Sequence, residues 1–388
     1  MTATTAMSAT SASGASDRES EAMSGRGIRR ETIARETIAS EAIARETIAV
    51  RLPNWIGDAA MAAPALAALR AARPGVRWIL IGSEQSVPLY GRWGADGLLV
   101  ARDRGLFGPF ALARRLRDLS LSEALVLGRS FRAALPFALA RVPHRAGLAT
   151  GGRALLLTDR LPEPDRSRHL AQHYLDLAAR LGADPATPLD PSLPIGDDER
   201  RAAARRLEAV GCRPETAIGF APGATYGETK RWPLRSWIDL GSRLASSGFS
   251  IAVFGGTAER AAAAAIADAL PGAVFPLAGT LAIRQSLAVM SLLRAHVSND
   301  SGAMHLAAAS GRPVLGIFGS TNPRWTGPLG PASRALTLGL SCSPCYARRC
   351  PTQIECLRDL GAAAVHETLQ PMLRDPAAAS RPRAGETP

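Results

Sequence analysis

Lys230 is the single lysine of a chain whose other 45 basic residues are arginine. An ammonium is a compact point charge and a guanidinium a planar fork, so a lone lysine in this background marks a place where arginine does not serve. It lies in the loop PGATYGETKRWP, residues 222–233. The chemistry open to it there is neutralisation of a phosphate; the alternative is a surface residue that codon drift has left in place. A second candidate is HVSNDSGAMHLAAASGRPVLGIFGS, residues 296–320. Its pattern predicts a short strand, a polar turn from Ser298 to Gly302, a helix from about Ala303 to Ser310, a left-handed stop at Gly311 and a strand from Val314 to Phe318. The helix start offers unpaired amides and a positive pole beside the Ser301 hydroxyl, a seat for a phosphate. Asp300 or Ser301 could equally be only the N-cap.

Asp58 closes the turn PNWIGD at a strand–helix junction. It is either an N-cap or a general base facing a cleft. The positive helix end is expected to lower its pKa and make it a modest base, which suffices when the leaving group is an already stable diphosphate. Arg129, Arg132, His144 and Arg145 stand on later loops or helix ends. They could hold an anionic acceptor or be solvated charges. Cys342, Cys345, Cys350 and Cys356 have the spacing C-x2-C-x4-C-x5-C, which admits a structural zinc or reduced thiols. The middle spacing is short for a zinc ribbon, so reduced thiols are the expectation and no metal is assigned. Cys212 reads as an ordinary buried thiol.

The elements that must position these residues alternate. Strands are expected at Ile48–Leu52, Arg77–Ile81, Gly97–Val100 and Ala124–Leu127. Helices are expected at Ala59–Ala72, Val87–Trp93, Phe110–Leu119 and Phe131–Ala140. After a helix at 168–183 and a proline-punctuated linker, a second cycle begins: strands Ala217–Ala221, Ser250–Phe254 and Val274–Pro276 with helices Glu199–Val210, Leu234–Ser246, Ala261–Leu270 and Ile283–Leu293. Alternation of this kind argues for parallel α/β sheets. The expected organisation is a low-complexity extension (1–47) holding a RETIA-type repeat, an acceptor-binding α/β domain (48–195), a nucleotide-sugar-binding α/β domain (196–372) and a tail (373–388). The two doubly wound, Rossmann-like domains face each other across a cleft.

In the second domain every strand is followed by small or polar residues: Pro222–Thr225, Gly255–Thr257, Ala278–Thr280, Ser298–Gly302 and Gly319–Thr321. Ligands of open parallel sheets bind at that edge. Five such loops, one with the only lysine, point to a nucleotide-diphosphate site that includes Thr225 and Gly279. There is no G-x-G-x-x-G, no G-x-x-x-x-G-K-[ST] and no D-x-D pair, which disfavours a Rossmann dehydrogenase, a P-loop NTPase and a metal–diphosphate clamp. Neutralisation falls to Lys230, with Arg231 and the helix start at Ser301 as helpers.

The net charge is +12, and residues 51–195 alone hold 19 arginines against 12 acids. A basic body suits nucleic acid, an anionic membrane face or a phosphorylated substrate. No nucleic-acid module or aromatic platform is visible, so the last two lead and no nucleic-acid partner is expected. No run of about 18 uncharged apolar residues exists to span a membrane. The Ser/Thr/Ala-rich start lacks an apolar signal core, so a cytoplasmic location is expected.

NWIGDAAMAAPALAALR, PGATYGETKRWP, VSNDSGAMHLAAA and CSPCYARRCP resemble, in order and over about residues 48–370, the motifs of the ADP-heptose:lipopolysaccharide heptosyltransferases, most of all heptosyltransferase II. The resemblance implies a GT-B fold and transfer of heptose from ADP-heptose to the inner-core heptose of Hep-Kdo-lipid A. It also implies inversion at the anomeric carbon, no metal or other cofactor, and work at the cytoplasmic face of the inner membrane as a peripheral protein. By the same resemblance Asp58 matches the base of the WIGD motif and Lys230 the diphosphate lysine. Asp300, Ser301, Gly302 and His305 match the nucleotide-sugar motif, and Glu259 a ribose-binding glutamate. LGRSFR (127–132) departs from the pattern: relatives tend to have asparagine where Arg129 stands. The competing readings are a GT-B transferase with another acceptor, a non-catalytic nucleotide-sugar binder and a nucleic-acid-binding protein. A base at Asp58 would be useless to a pure binder.

Overall fold

All five residues of strand β1, Thr47–Arg51, are buried. A parallel strand covered on both faces is apolar without alternation, and TIAVR sits at the middle of the first sheet. Its companions are β2 (Arg77–Gly82), β3 (Gly97–Val100), β4 (Glu123–Val126), β5 (His144–Leu148) and β6 (Asp159–Leu161), in the order β3-β2-β1-β4-β5-β6. The second sheet comprises β7 (Ala217–Ala221), β8 (Ser250–Val253), β9 (Val274–Pro276), β10 (Ala295–Asn299), β11 (Val314–Ile317) and β12 (Arg334–Leu336). Its order is β12-β11-β10-β7-β8-β9. Every pairing is parallel. The computed structural model describes residues 46–101 and 105–374. Nearly all of the expected extension, and the tail beyond Arg374, lie outside the described residues.

Each sheet reverses its winding once, between β1 and β4 and between β7 and β10. Loops leaving the carboxyl ends of those strands diverge, which opens a crevice. The loops that carry Asp58, Arg129, Lys230 and Asp300 are the ones that flank these two reversals.

The expected helix Ala59–Ala72 is two helices, Ile56–Met61 and Ala63–Ala72. Pro64 stands in the first turn of the second, where a missing N–H does no harm; inside one long helix it would remove a hydrogen bond and clash. The short strands β5, β6 and β12 were not foreseen, nor was the closing helix Ala362–Arg374. That helix buries Val365, Leu369 and Met372 in one apolar cluster with Trp237, Leu240 and Leu244 of helix Leu234–Ser246.

The two sheets share a continuous core, in which Leu66, Leu175, Met304 and Leu306 belong to one buried cluster. Charges knit the junction. Arg284 donates to the Leu89 carbonyl of the first half (3.1 Å), to the Pro194 carbonyl of the linker (2.9 Å) and to Glu199 of the second half (2.9 Å). Arg92, from the first half, pairs with Asp198 and reaches Glu199. Burial alone would raise the Glu199 carboxyl. Arg284, the Gly196 amide and Arg92 outweigh it and hold it below the usual range.

Candidate active site

Lys230 ends a single turn, Glu228–Lys230, in the loop after β7. Its Nζ lies 2.6 Å from Asp300 Oδ2 and 4.9 Å from the centre of the Tyr226 ring. Thr321, after β11, donates to the same Asp300 oxygen. The pair is largely shielded, with side chains 14% and 4% exposed. Asn299, fully buried at the end of β10, fixes the loop that delivers the lysine: its Oδ1 accepts from the Trp232 amide (3.2 Å) and its Nδ2 donates to the Pro222 carbonyl (2.6 Å). One side-chain amide thus ties both ends of PGATYGETKRWP to β10. Sequence reasoning passed over Asn299 as a turn residue. A polar residue at the end of a fully buried strand was the available signal, since such a group must find partners. Arg231 does not share the task of Lys230; its guanidinium donates twice to the Ala224 carbonyl, at 3.1 and 3.0 Å, closing its own loop.

Ser301 is the N-cap of helix Gly302–Ala309, yet its side chain makes no capping bond. Its Oγ is buried without a hydrogen-bond partner. Capping therefore explains neither it nor Asp300, which is engaged by Lys230 and Thr321. Ser301 instead lines a small pocket with Gly223, Ala224, Thr225, Gly255, Gly256, Glu259 and Ala303. Glu259 accepts from the Gly256 amide (2.8 Å). A Cβ on Gly223 would come within 2.7 Å of its Oε1, so the pocket needs glycine there. Gly279, at φ +69°, stands apart from this lining; its carbonyl accepts from Arg260 (2.7 Å). His305 is buried, and that burial, helped by His169 and Lys230, pushes its pKa down to about 3. Its imidazole is neutral at any working pH.

Opposite these loops stands helix Ile56–Met61. Its N-cap is Trp55, so Asp58 is a first-turn residue and not the cap. The halves meet closely here: a Cβ on Gly57 would lie 2.8 Å from His305 Cδ2, and one on Gly302 would lie 3.4 Å from the Gly57 nitrogen. Asp58 is half-buried. Burial raises its pKa, opposed by Arg129 and Lys230 and reinforced by Asp300. The lowering expected from the helix end is thus overturned, because desolvation outweighs both the end of a six-residue helix and the nearby cations. The structure brings Arg129, Lys230 and Asp300 within electrostatic reach of Asp58 across the crevice.

The other proposed acceptor contacts do not gather there. Arg145 pairs in register with Ala124 near the amino ends of β5 and β4, and its guanidinium donates to the Leu156 (2.7 Å) and Val142 carbonyls. His144 begins β5 between Glu123 (3.0 Å) and Asp159 (3.4 Å). Both lie toward the edge opposite the crevice. Arg132 donates to the Gly105 carbonyl, which ties the start of helix Phe131–Leu139 to a surface loop. The five cysteines are free thiols: Cys342 and Cys345 exposed, Cys350 and Cys356 half-buried, and Cys212 buried, with its pKa pushed up to about 11 by burial. Among the described residues no group of three or more His, Cys, Asp or Glu is arranged to hold a metal ion.

The profile of the family described as Glycosyltransferase family 9 (heptosyltransferase) matches residues 109–354. The chain belongs to this family. Lipooligosaccharide heptosyltransferase 2 of Haemophilus influenzae is 30% identical over 295 residues, covering 71% of this chain and 84% of that protein. Among solved structures, the Escherichia coli ADP-heptose lps heptosyltransferase II superposes with a TM-score of 0.72 at 27% identity, covering 84% of this chain and 98% of that one. A family 9 glycosyltransferase from Veillonella parvula superposes with a TM-score of 0.76 at 20% identity, covering 85% and 98%; at that identity it speaks for the fold alone. The two facing parallel sheets are therefore the GT-B arrangement of family 9. The chain is a glycosyltransferase of the heptosyltransferase family of lipopolysaccharide core biosynthesis, and its relatives of about 30% identity include heptosyltransferases II. The profile begins after Asp58, so that match says nothing of Asp58.

Proposed function

We propose that this family 9 protein transfers heptose from ADP-heptose onto the inner-core heptose of Hep-Kdo-lipid A, with inversion and without a metal, at the cytoplasmic face of the inner membrane. The observation that carries this is the meeting of a carboxylate from one half, Asp58, with the Lys230–Asp300 pair of the other. A sugar hydroxyl holds its proton too tightly to attack alone. The Asp58 carboxylate takes that proton as the hydroxyl oxygen bonds to the anomeric carbon, and the raised pKa makes it a better acceptor than a solvent-exposed aspartate. The bond from that carbon to the diphosphate oxygen breaks on the opposite face, and charge gathers on the departing diphosphate. Lys230 and the start of helix Gly302–Ala309 supply fixed positive groups for that charge. The buried Ser301 hydroxyl, which lacks a partner in the protein, is satisfied by a phosphate oxygen. Thr225 and Glu259 line the adenosine side of the same pocket, and Arg129 faces the acceptor.

The reading is tested by incubating the protein with ADP-heptose and defined lipid A acceptors bearing Kdo alone or Kdo and one heptose, then weighing the products. One added heptose on the second acceptor, undiminished by EDTA, is expected. Addition to the first acceptor alone would replace it with a different family 9 specificity.

A further inference from the structure

Among the described residues, the large apolar side chains exposed in the first half gather at one edge, apart from Leu98 within the edge strand β3. Trp55 follows β1; Leu106, Phe107 and Phe110 follow β3; Phe131 follows β4; Leu155 follows β5. All strands of this sheet run the same way, so these six residues, 44 to 89% exposed, share its carboxyl edge. That is the edge of Asp58. Two of these segments are physically joined, since Arg132, beside Phe131 at the start of helix Phe131–Leu139, donates to the Gly105 carbonyl next to Leu106. The helix that starts there, Gly108–Arg117, buries Pro109, Leu112, Ala113 and Leu116 and leaves Phe110, Arg114 and Arg115 outside. It has no acid in its first turn. Among the described residues, the exposed charges in the segments just after β4 are Arg129 and Arg132, with no acid beside them. Projecting aromatic and leucine side chains among arginines are the composition of a surface that enters the head-group zone of an anionic bilayer.

We propose that the carboxyl edge of the first sheet docks the protein on an anionic phospholipid bilayer, with Leu106, Phe107, Phe110 and Phe131 entering the interface and Arg114 and Arg115 facing the phosphates. The proposal rests on the reading of the acceptor as a lipid-linked sugar. A bilayer fits better than a second copy of the chain. The apolar residues come from several loops and helix starts and not from one flat face. The exposed charges beside Phe110 and Phe131 are Arg114, Arg115, Arg129 and Arg132, while the exposed acids of this edge, Glu84, Glu163 and Asp165, stand on the segments after β2 and β6. Docking there brings Asp58 down towards sugars standing on the membrane.

The test uses the full chain and the variant Leu106→Ser/Phe107→Ser/Phe110→Ser, whose three side chains are exposed in the fold. Co-sedimentation with vesicles of phosphatidylethanolamine and phosphatidylglycerol should retain the wild-type chain and lose the variant by at least about tenfold, the scale of removing a few inserted apolar groups. Vesicles of phosphatidylcholine alone should retain little of either. With a water-soluble, fully deacylated acceptor, kcat/KM should be equal for the two proteins, and with acceptor embedded in vesicles the variant should fall by a similar factor. Equal sedimentation of both proteins overturns the docking surface. So does a wild-type dimer that the variant converts to monomer, which would assign the patch to a second copy. If neither protein turns over the soluble acceptor while sedimentation still separates them, docking stands and the transferase reading falls.

Discussion

Asp58 sits where the fold disfavours its own charge, and that is also where the proposed transfer needs a base. Its folded-state pKa is raised, so stability is lost as pH rises from the unfolded value through the raised one, and the loss persists at neutral pH. Asp58→Asn removes the penalty together with the base. We expect its melting temperature at pH 7 to rise by roughly 1–3 °C while kcat falls by about 10²–10⁴, with ADP-heptose affinity little changed by calorimetry. A variant that melts lower and loses donor binding would make Asp58 structural. Lys230→Arg keeps the charge, yet Nζ is enclosed between the Asp300 carboxylate and the Tyr226 ring, where a planar fork needs more width. Its kcat/KM for ADP-heptose should drop by about 1–3 kcal/mol in transition-state terms, with an unchanged circular dichroism spectrum; wild-type kinetics would refute a special role for the ammonium. Lys230 stood out because its residue type is unique and its loop polar, and the structure pairs it with Asp300; the variant tests what it does for the donor. Arg145 was misplaced for a geometric reason: a residue's offset along a strand decides which edge it serves, and nothing in RVPHRAGL marked where β5 begins.

At the scale of elements, the contact between helices Ile56–Met61 and Gly302–Ala309 works only with glycine at 57. The buried His305 ring has no flexible end to swing away, so a methyl group 2.8 Å from it must push the helices apart. Gly57→Ala should fold, show a larger radius of gyration by solution scattering and lose at least about tenfold in kcat/KM, because the reacting groups no longer reach one geometry. An unchanged radius and rate would mean that the contact is incidental. The helices and central strands could be read in advance from apolar runs bounded by glycine and proline. The short edge strands could not: HRAGL, DRL and RAL hold charged residues and are defined by their neighbours in the sheet rather than by their own pattern. Pro64 was visible but was passed over in favour of the periodicity around it, and it was the proline that decided the break.

Across the whole molecule, two buried histidines set a lower pH limit. Burial, with Arg312 adding, pushes His296 down to about 4, and burial, with His169 and Lys230, pushes His305 down to about 3. Both folded values are depressed, so the stability they secure is complete above the ordinary value near 6.5 and is lost as pH falls from there toward 4 and 3. Thermal scans should show a decline that begins below about pH 6.5, and His296→Gln should flatten it. A melting temperature constant from pH 7 to 5 would contradict this. The crevice itself was legible as an arrangement of loops, while its closeness was not, because contacts between halves leave no local pattern. Arg284 belongs to that hidden layer. Its guanidinium holds one half, the linker and the other half at once, so any rotation of the halves has a fixed pivot. A pivot does not speed a motion; it makes each repetition end in the same alignment. Arg284→Ala removes the hydrogen bonds that hold both halves and the linker at one point, so the halves should settle in more than one alignment, and single-molecule records should show turnover times that differ from one event to the next.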